Sequence, residues 1–362
     1  MPNRLQQLHD AGVSVWLDFI ERPMLHNGDL ERRIREDALT GMTSNPTIFE
    51  KALAEGTAYD DQVRAAPRDL SPLDLFELVE TTDVRDACDL FRGVYEKSKG
   101  EDGYVSIEVS PGAAHDTKAT IDEARRLWRT VDRPNVMIKV PGTQNGAEAV
   151  KRLIADGINV NITLLFAIEA HDRVINAYMT GLEERVRDGK PVKGIASVAS
   201  FFVSRVDSEI DKRLTDDSLK GKAAIANAKR AYKLFSDRFS SPRWKALEAK
   251  GARVQRPLWA STSTKNPAYR DVMYVEQLIG PRSVNTLPPA TLEAFRDHGE
   301  TKRTVDAGLD EANATIERLE AAGVSMKDVT DKLLSEGLAS FQKSFDSLIA
   351  GIAKKRELVS HR

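Results

Sequence analysis

The sequence has very little cysteine, no clustered histidine and no long apolar run, and each absence excludes a class of protein. Among 362 residues the single cysteine, Cys88, rules out an internal disulfide and any site built from several thiolates. The six histidines are scattered at positions 9, 26, 115, 171, 298 and 361, without metal-ligand spacing. This argues against a histidine-ligated metal, although carboxylate ligands leave no such pattern. We expect no metal.

Membrane and export signals are also missing. No apolar stretch approaches the ~18 residues that a membrane span requires. The first residues, Met1 to Arg4, lead into polar sequence instead of the apolar core of a signal peptide. We therefore expect a cytoplasmic protein that does not bind membranes.

The chain lacks an excess of charge of either sign. Lys and Arg number 53 against 55 Asp and Glu, which gives a formal net charge of -2. Such a balance provides no overall attraction to nucleic acid, so any anion site has to be local. Hydrophobic residues at 41% and charged residues at 30% predict a folded chain with a substantial core. An oligomeric state is not readable from this composition, and a homo-oligomer stays open.

What the sequence does contain is an alternation of short apolar, β-branched runs with longer segments of helical periodicity. This rhythm is typical of βα units and a parallel sheet. Several runs are almost continuously apolar, as strands covered on both faces are. Eight runs predict a closed (β/α)₈ TIM barrel: Val13–Phe19, Leu39–Asn45, Tyr104–Ser110, Asn135–Pro141, Asn159–Phe166, Gly194–Val203, Arg253–Thr262 and Val284–Leu287.

The chain is longer than a minimal barrel, and the surplus is helical in pattern. Residues 10–300 are assigned to one catalytic barrel with extra helices in 56–103 and 207–250. One long helix is predicted from Ser71-Pro72 towards Lys99-Gly100. Residues 301–362 are assigned to a C-terminal helical extension packed on the barrel, with helices over Val305–Ala321 and Met326–Lys354. A separate small helical domain after residue 300 is the alternative.

Polar residues inside or just after the apolar runs are the candidates for chemistry, because catalytic groups of barrels lie at the C-terminal ends of the strands. Lys139, within VMIKVP, is the clearest case. Burial among apolar side chains disfavours an ammonium charge, and a neutral amine is the nucleophile of Schiff-base chemistry. The alternative is a buried ion pair of Lys139 with Glu108 or Asp18.

Other residues at strand ends also have both a functional and a structural interpretation. Asp18 and Glu108 are suited to proton transfer, or else to an ion pair, and Asp18 also to a helix cap. Asn45 and Asn161 offer uncharged donors and acceptors for a polyol. Asn45 is alternatively a turn residue before Pro46, and Asn161 a satisfied amide inside the barrel.

Two segments late in the barrel are candidates for a phosphate site. Arg205 follows the sixth run, and Ser261 to Lys265 follow the seventh, where barrels often bind phosphate. The alternatives are an ion pair of Arg205 with Asp207 or Glu209, and a solvated loop at Lys265. Thr163, by itself, is explained more readily by β-propensity than by function.

The motifs together resemble a known family. The segments GMTSNPTIFEKA at 41–52 and VMIKVPGTQNGAEAV at 136–150 are similar to the two signature segments of transaldolases. Further matches are NVNITLLF at 159–166, ASFFVSRVD at 199–207 and WASTSTKNPAY at 259–269, in the family's order. The resemblance covers residues 10–350 and is strongest to the longer bacterial type.

The resemblance implies a class I aldolase-like barrel that transfers a dihydroxyacetone unit. Sedoheptulose 7-phosphate and glyceraldehyde 3-phosphate would become erythrose 4-phosphate and fructose 6-phosphate, in the non-oxidative pentose phosphate pathway, with no cofactor beyond the imine. The motif matches imply these roles: Lys139 as Schiff-base lysine, Asp18 as acid/base at the C4 hydroxyl, Glu108 and Thr163 as positioners of the catalytic water, Asn45, Asn161, Ser200 and Phe202 around the dihydroxyacetone unit, and Arg205 on the phosphate.

One position departs from the family pattern. Many transaldolases place a second phosphate-binding arginine two residues after the serine that corresponds to Ser261, whereas this chain has Ser263 there. We assign that role to Ser261 and Lys265 together. The alternative activity is a fructose-6-phosphate-type aldolase that releases free dihydroxyacetone, but those relatives are shorter and commonly carry Tyr where this chain has Phe202. A barrel retained only for binding is the remaining alternative.

Overall fold

A computed structural model shows eight parallel strands that close into a barrel in sequence order. The structure describes residues 3–54 and 56–360; Met1, Pro2, Glu55, His361 and Arg362 lie outside the described residues. Each predicted run coincides with one strand, and the ends agree to within three residues. The strands are β1 (Val13–Asp18), β2 (Leu39–Thr43), β3 (Tyr104–Glu108), β4 (Val136–Pro141), β5 (Val160–Leu165), β6 (Ser197–Phe202), β7 (Gln255–Ala260) and β8 (Ser283–Leu287).

Helices surround the barrel and connect the strands. Those up to β4 are α1 (Arg4–Asp10), α2 (Arg22–His26), α3 (Asp29–Glu36), α4 (Pro46–Ala54), α5 (Asp60–Ala65), α6 (Pro72–Leu90), α7 (Arg92–Lys97) and α8 (Thr117–Val131). Those after it are α9 (Gln144–Asp156), α10 (Ile168–Arg187), α11 (Ser204–Ile210), α12 (Ala223–Arg238), α13 (Pro242–Glu248), α14 (Met273–Glu276), α15 (Pro289–His298), α16 (Leu309–Ala321) and α17 (Met326–Ser360).

Two hydrophobic cores hold the barrel. The larger core lies between the strands and the helices around them. The smaller core fills the barrel interior with side chains that include Trp16, Tyr104, Met137 and Leu258. Below it, Asp102 accepts a hydrogen bond from the Trp16 indole at 2.8 Å. The interior of the barrel is therefore filled with side chains, as in other eight-stranded barrels of this kind.

The predicted long helix after Ser71 is wrong in one respect. The side chain of Ser71 accepts from the Asp74 N–H and caps α6 as expected. The helix ends at Leu90, however, and α7 is a separate helix. Phe91, between the two, is fully buried. The inward packing of this side chain accompanies the break in the helix.

The sequence predicts that the region after α15 is helical throughout. The structure shows that part of it is extended. The predicted helix at Val305 begins only at Leu309. Val305 is fully buried, and its N–H donates to the carbonyl of Ile279 at 3.1 Å. The apolar residue that suggested a helix thus pins an extended segment to the barrel. Gly308, with φ of 68°, then turns the chain into α16.

The last helix, α17, is longer than predicted and runs across the barrel. Its 35 residues extend past Lys354 to Ser360. It packs against α4, α5 and α6, which precede β3, and against α11, which follows β6. The extension therefore lies on the barrel itself.

His171 of α10 gives the fold an expected sensitivity to acid. The ring is fully buried beside Phe201, and neither nitrogen has a hydrogen-bond partner among the described residues. Burial lowers the pKa of His171 to about 4. Because the unfolded state binds a proton below the ordinary pKa of 6.5 while the folded state does not, acidification from pH 6.5 to 4 should cost up to about 3 kcal/mol of unfolding free energy.

His171→Phe should remove that loss. The measurement is Tm at pH 7.5 and at pH 5 for the wild type, for His171→Phe and for His115→Gln, whose side chain is exposed. The difference in Tm between the two pH values should shrink in His171→Phe alone. Equal differences in all three proteins would contradict the assignment.

Candidate active site

A cavity of about 570 Å³ opens at the C-terminal ends of the strands. Ten of the eleven predicted site residues line it: Asp18, Asn45, Glu108, Lys139, Thr163, Ser200, Phe202, Arg205, Ser261 and Lys265. The eleventh, Asn161, is fully buried and is not among the lining residues. The structure thus brings together residues that lie up to 247 positions apart in the sequence.

Strand register explains the centre of this cavity. Glu108 pairs with Lys139 across β3 and β4, and Lys139 pairs with Asn161 across β4 and β5. Side chains at the same level of neighbouring parallel strands lie next to one another. A glutamate, a lysine and an asparagine therefore form a row around the inside of the barrel.

Lys139 is held by two acceptors at the floor of the cavity. Its Nζ donates to Oε2 of Glu108 and to the carbonyl of Ser44, both at 2.9 Å. The exposed fractions of the Lys139 and Glu108 side chains are 9% and 7%. Burial raises the pKa of Glu108, although the lysine opposes this effect. The ion pair considered from the sequence is present, and it faces an open cavity.

Asp18 lies on the other side of the same floor. Its Oδ1 accepts a hydrogen bond from Thr43 at 2.8 Å, and the Thr43 hydroxyl is also 2.6 Å from that of Thr286. Burial raises the pKa of Asp18, while Lys139 opposes the rise. The helix-cap interpretation of Asp18 is wrong, because α2 begins after Glu21.

The amides are engaged with the protein itself. Asn161 donates to the Ser106 hydroxyl at 3.0 Å and accepts from Ser200 at 2.6 Å, as a satisfied interior amide would. Asn45 accepts from the N–H of Ile48 at 3.1 Å, which is the turn role considered above. The amide nitrogen of Asn45 makes no hydrogen bond to the described residues, so it is available at the cavity wall.

Arg205 lines the cavity and forms no direct ion pair with a carboxylate of the described residues. The predicted alternative, an ion pair with Asp207 or Glu209, is wrong. Asp207 accepts from Tyr274, and Glu209 accepts from Arg213 and Lys332. The Arg205 guanidinium instead lies 5.3 Å from the centre of the Phe202 ring. Burial lowers the pKa of Arg205, and the charge of Asp18 opposes this effect. Because no carboxylate of the described residues lies in direct contact with the guanidinium, it is suited to an anionic ligand.

Ser261 and Lys265 occupy the neighbouring wall. Ser261 has φ of 56°, and its hydroxyl is 2.9 Å from that of Ser204. Lys265 is exposed, and its Nζ donates to the Ser263 hydroxyl at 2.8 Å. The ammonium therefore lies beside the position where the family pattern commonly has arginine.

Several residues around the cavity were not predicted. Thr286 interrupts the apolar run of β8, a sequence signal like the one that identified Asp18 and Glu108. Ser44 contributes through its carbonyl oxygen, which no side-chain pattern indicates. Gly337, Ser340 and Phe341 line the cavity from α17, and nothing in their local sequence marks them.

Two other kinds of site, a metal centre and a membrane span, are absent from residues 3–54 and 56–360. No group of three or more histidine, cysteine, aspartate or glutamate side chains is placed to bind a metal ion there. In the same part of the chain, none of the helices combines the length and apolarity that a bilayer crossing needs.

Fold and cavity together define a class: a (β/α)₈ barrel with a lysine, two carboxylates and an unpaired arginine at its C-terminal mouth. Comparison with known proteins narrows this class. The family model described as Transaldolase/Fructose-6-phosphate aldolase matches residues 15–352. The chain belongs to this family, as its motifs predicted.

Curated relatives extend over the whole chain. A transaldolase of Thermobifida fusca is 49% identical, with all of both chains covered. A transaldolase of Frankia alni is 47% identical over 98% of each chain. A protein named Transaldolase 2, of Nostoc, is 47% identical over 99% of each. These full-length matches confirm the prediction of a transaldolase-type transferase and do not favour the shorter aldolase.

Proposed function

We propose that this protein is a transaldolase that moves a dihydroxyacetone unit from a ketose phosphate to an aldose phosphate. Sedoheptulose 7-phosphate and glyceraldehyde 3-phosphate are the substrates, and erythrose 4-phosphate and fructose 6-phosphate the products. The observation that carries the proposal is Lys139 Nζ, buried in the barrel yet facing the open cavity, with Glu108 2.9 Å away.

Lys139 is the nucleophile. Its amine attacks the ketose carbonyl, and loss of water gives a protonated imine that withdraws electrons from the bond to be broken. Glu108 and Thr163, which both line the cavity, position the water that leaves and later returns. A carboxyl group whose pKa is raised by burial can hold the proton that these steps exchange.

Asp18 performs the cleavage step. Its carboxylate removes the proton of the C4 hydroxyl, the C3–C4 bond breaks, and the electron pair is accepted by the imine. The aldose departs, and Asp18 returns the proton to the next aldose when the bond forms again. Asn45, Asn161 and Ser200, with Phe202 next to them, hold the hydroxyl groups of the three-carbon unit.

Arg205 binds the phosphate at the outer end of the substrate. Ser261 and Lys265 complete this subsite, and Lys265 replaces the arginine that many relatives carry. A lysine acts as a point charge, whereas arginine can form two parallel hydrogen bonds to a phosphate.

Lys265→Ala should therefore raise KM for both phosphorylated substrates by about tenfold, with kcat changed much less. Lys265→Arg is the matched control and should keep KM within about threefold of the wild type, since the cation remains. Steady-state kinetics with each substrate varied in turn provide the measurement. Unchanged Michaelis constants in Lys265→Ala would remove this residue from the phosphate subsite.

Trapping tests the proposed reaction. Borohydride added to the protein with fructose 6-phosphate should leave a three-carbon adduct on Lys139, identified by peptide mass mapping. Erythrose 4-phosphate added before borohydride should discharge the intermediate. Discharge by water alone would identify an aldolase, and no adduct at all would indicate a binding protein.

The same proposal includes the domain organisation, the absence of a cofactor, the pathway and the cellular location. Residues 10–300 form the catalytic barrel, and 301–362 are an extension packed on it instead of a separate domain. The imine supplies the electron sink, so the reaction uses no metal or organic cofactor. The substrates are soluble sugar phosphates of the non-oxidative pentose phosphate pathway, which places the enzyme in the cytoplasm.

A further inference from the structure

One position in α17 lacks a side chain at the point where that helix crosses the cavity. Leu333, Leu348 and Ile352 form part of the buried stripe of α17, and Gly337 lies on the same stripe. Glycine in a helix interior is less stable than alanine by about 1 kcal/mol. Gly337 is not among the residues with positive φ, so its backbone conformation does not require glycine.

The surroundings of Gly337 indicate why glycine occupies this position. A Cβ atom there would lie 3.0 Å from Cδ2 of Leu164 and 3.9 Å from Nη1 of Arg205. Gly337 is also one of the residues that line the active-site cavity. A larger side chain at this position would therefore enter the space beside the Arg205 guanidinium.

Leu164 is the neighbour that an added side chain at 337 would meet first. It follows Thr163 in β5, has φ of 59°, and lies where the pairing of β5 with β6 is irregular. A leucine in this backbone region is already strained. The end of its side chain lines the active-site cavity together with Arg205, so a group added at Gly337 and a displaced Leu164 side chain would both occupy that cavity.

α17 is also fastened at this place. Lys332, on the preceding turns, donates to Glu209 at 2.7 Å, and Glu209 lies one turn after Arg205 in α11. On the far side of the cavity, Ser344 of α17 accepts from Thr47 of α4 at 2.8 Å. Because both flanks are held, the helix cannot easily move away from an enlarged side chain at 337.

We propose that Gly337 is a specificity-determining position, at which the absence of a side chain leaves the phosphate end of the substrate room beside Arg205. This inference rests on the proposed function, because it concerns the phosphate subsite of that reaction. It assigns to α17 a role in substrate selection that the barrel strands do not fulfil.

Gly337→Leu tests the proposal, with Gly351→Leu as its matched control. Gly351 lies in the same helix, and a Cβ there would meet nothing within 4 Å. Donor kinetics are measured with fructose 6-phosphate and with unphosphorylated fructose, using glyceraldehyde as the common acceptor. Gly337→Leu should raise KM for fructose 6-phosphate at least about fivefold. Its kcat/KM for fructose, and both parameters in Gly351→Leu, should stay within about twofold of the wild type.

Two results would overturn the proposal. One is a Gly337→Leu enzyme that behaves like Gly351→Leu. The other is an equal loss with both donors, which would indicate general obstruction of the mouth. If Gly337→Leu does not fold, Gly337→Ala replaces it, because alanine favours the helix and still meets Leu164 at 3.0 Å.

A binding measurement separates this proposal from the proposed function. Inorganic phosphate is titrated into the wild type and both leucine variants by calorimetry, which requires no turnover. Weaker phosphate binding only in Gly337→Leu supports the inference even if the wild type proves unable to transfer dihydroxyacetone. Equal binding in all three proteins contradicts it even if the wild type is an active transaldolase.

Discussion

Replacing Lys139 with methionine is expected to lower kcat by at least about 10⁴-fold and to abolish covalent capture of the donor. Methionine has a similar length and volume but no amine, so neither the carbinolamine nor the imine can form. The fold should survive, because Glu108 can become protonated once the opposing charge of Lys139 is gone; burial already raises its pKa.

The measurement combines a coupled transfer assay with borohydride trapping and peptide mapping. Lys250→Met is the control, since that lysine is exposed after α13 and does not line the cavity. Retention of an adduct in Lys139→Met would show that another amine is the nucleophile.

Asp18→Asn is expected to lower kcat by about 10²- to 10⁴-fold while leaving imine formation intact. Asparagine keeps the shape of the side chain and an oxygen that accepts from Thr43, whose hydroxyl lies 2.8 Å from Oδ1 in the wild type. The amide cannot remove the C4 hydroxyl proton, so the reaction should stop before the C3–C4 bond breaks.

Mass spectrometry distinguishes this block from a general loss of activity. After borohydride, Asp18→Asn incubated with fructose 6-phosphate should carry a six-carbon phosphorylated adduct, whereas the wild type carries a three-carbon one. Asp69→Asn, which changes an exposed loop carboxylate, should match the wild type. Turnover near the wild-type rate in Asp18→Asn would remove this residue from the acid/base role.

Most of the barrel was predictable because its strands carry strong local signals. Apolar, β-branched runs bounded by helical periodicity identified all eight strands. The polar interruptions Asp18, Glu108 and Lys139 identified the floor of the cavity, since buried charge is costly without a purpose or a partner. These signals are local, and a single sequence contains them.

The rest of the site depends on contacts between distant segments, which local patterns do not encode. The carbonyl oxygen of Ser44 accepts a hydrogen bond from Lys139 Nζ, and only the path of the backbone places it there. Val305 has the apolar character of a helix residue but anchors an extended segment to Ile279. The contribution of Gly337 depends on where α17 crosses the barrel, and that path is determined by packing with helices almost 300 residues earlier.

The contact between α17 and α4 joins two segments that are translated far apart in time. Thr47 and Ser344 meet across 297 positions of sequence, so translation delivers one side of the mouth long before the other. All eight strands leave the ribosome before α17 does, and contacts of such high sequence separation form slowly. The strands that carry Asp18, Glu108 and Lys139 are therefore translated before the helix that supplies one wall of the mouth. The selection proposed for Gly337 depends on the segment of the described chain that is made last.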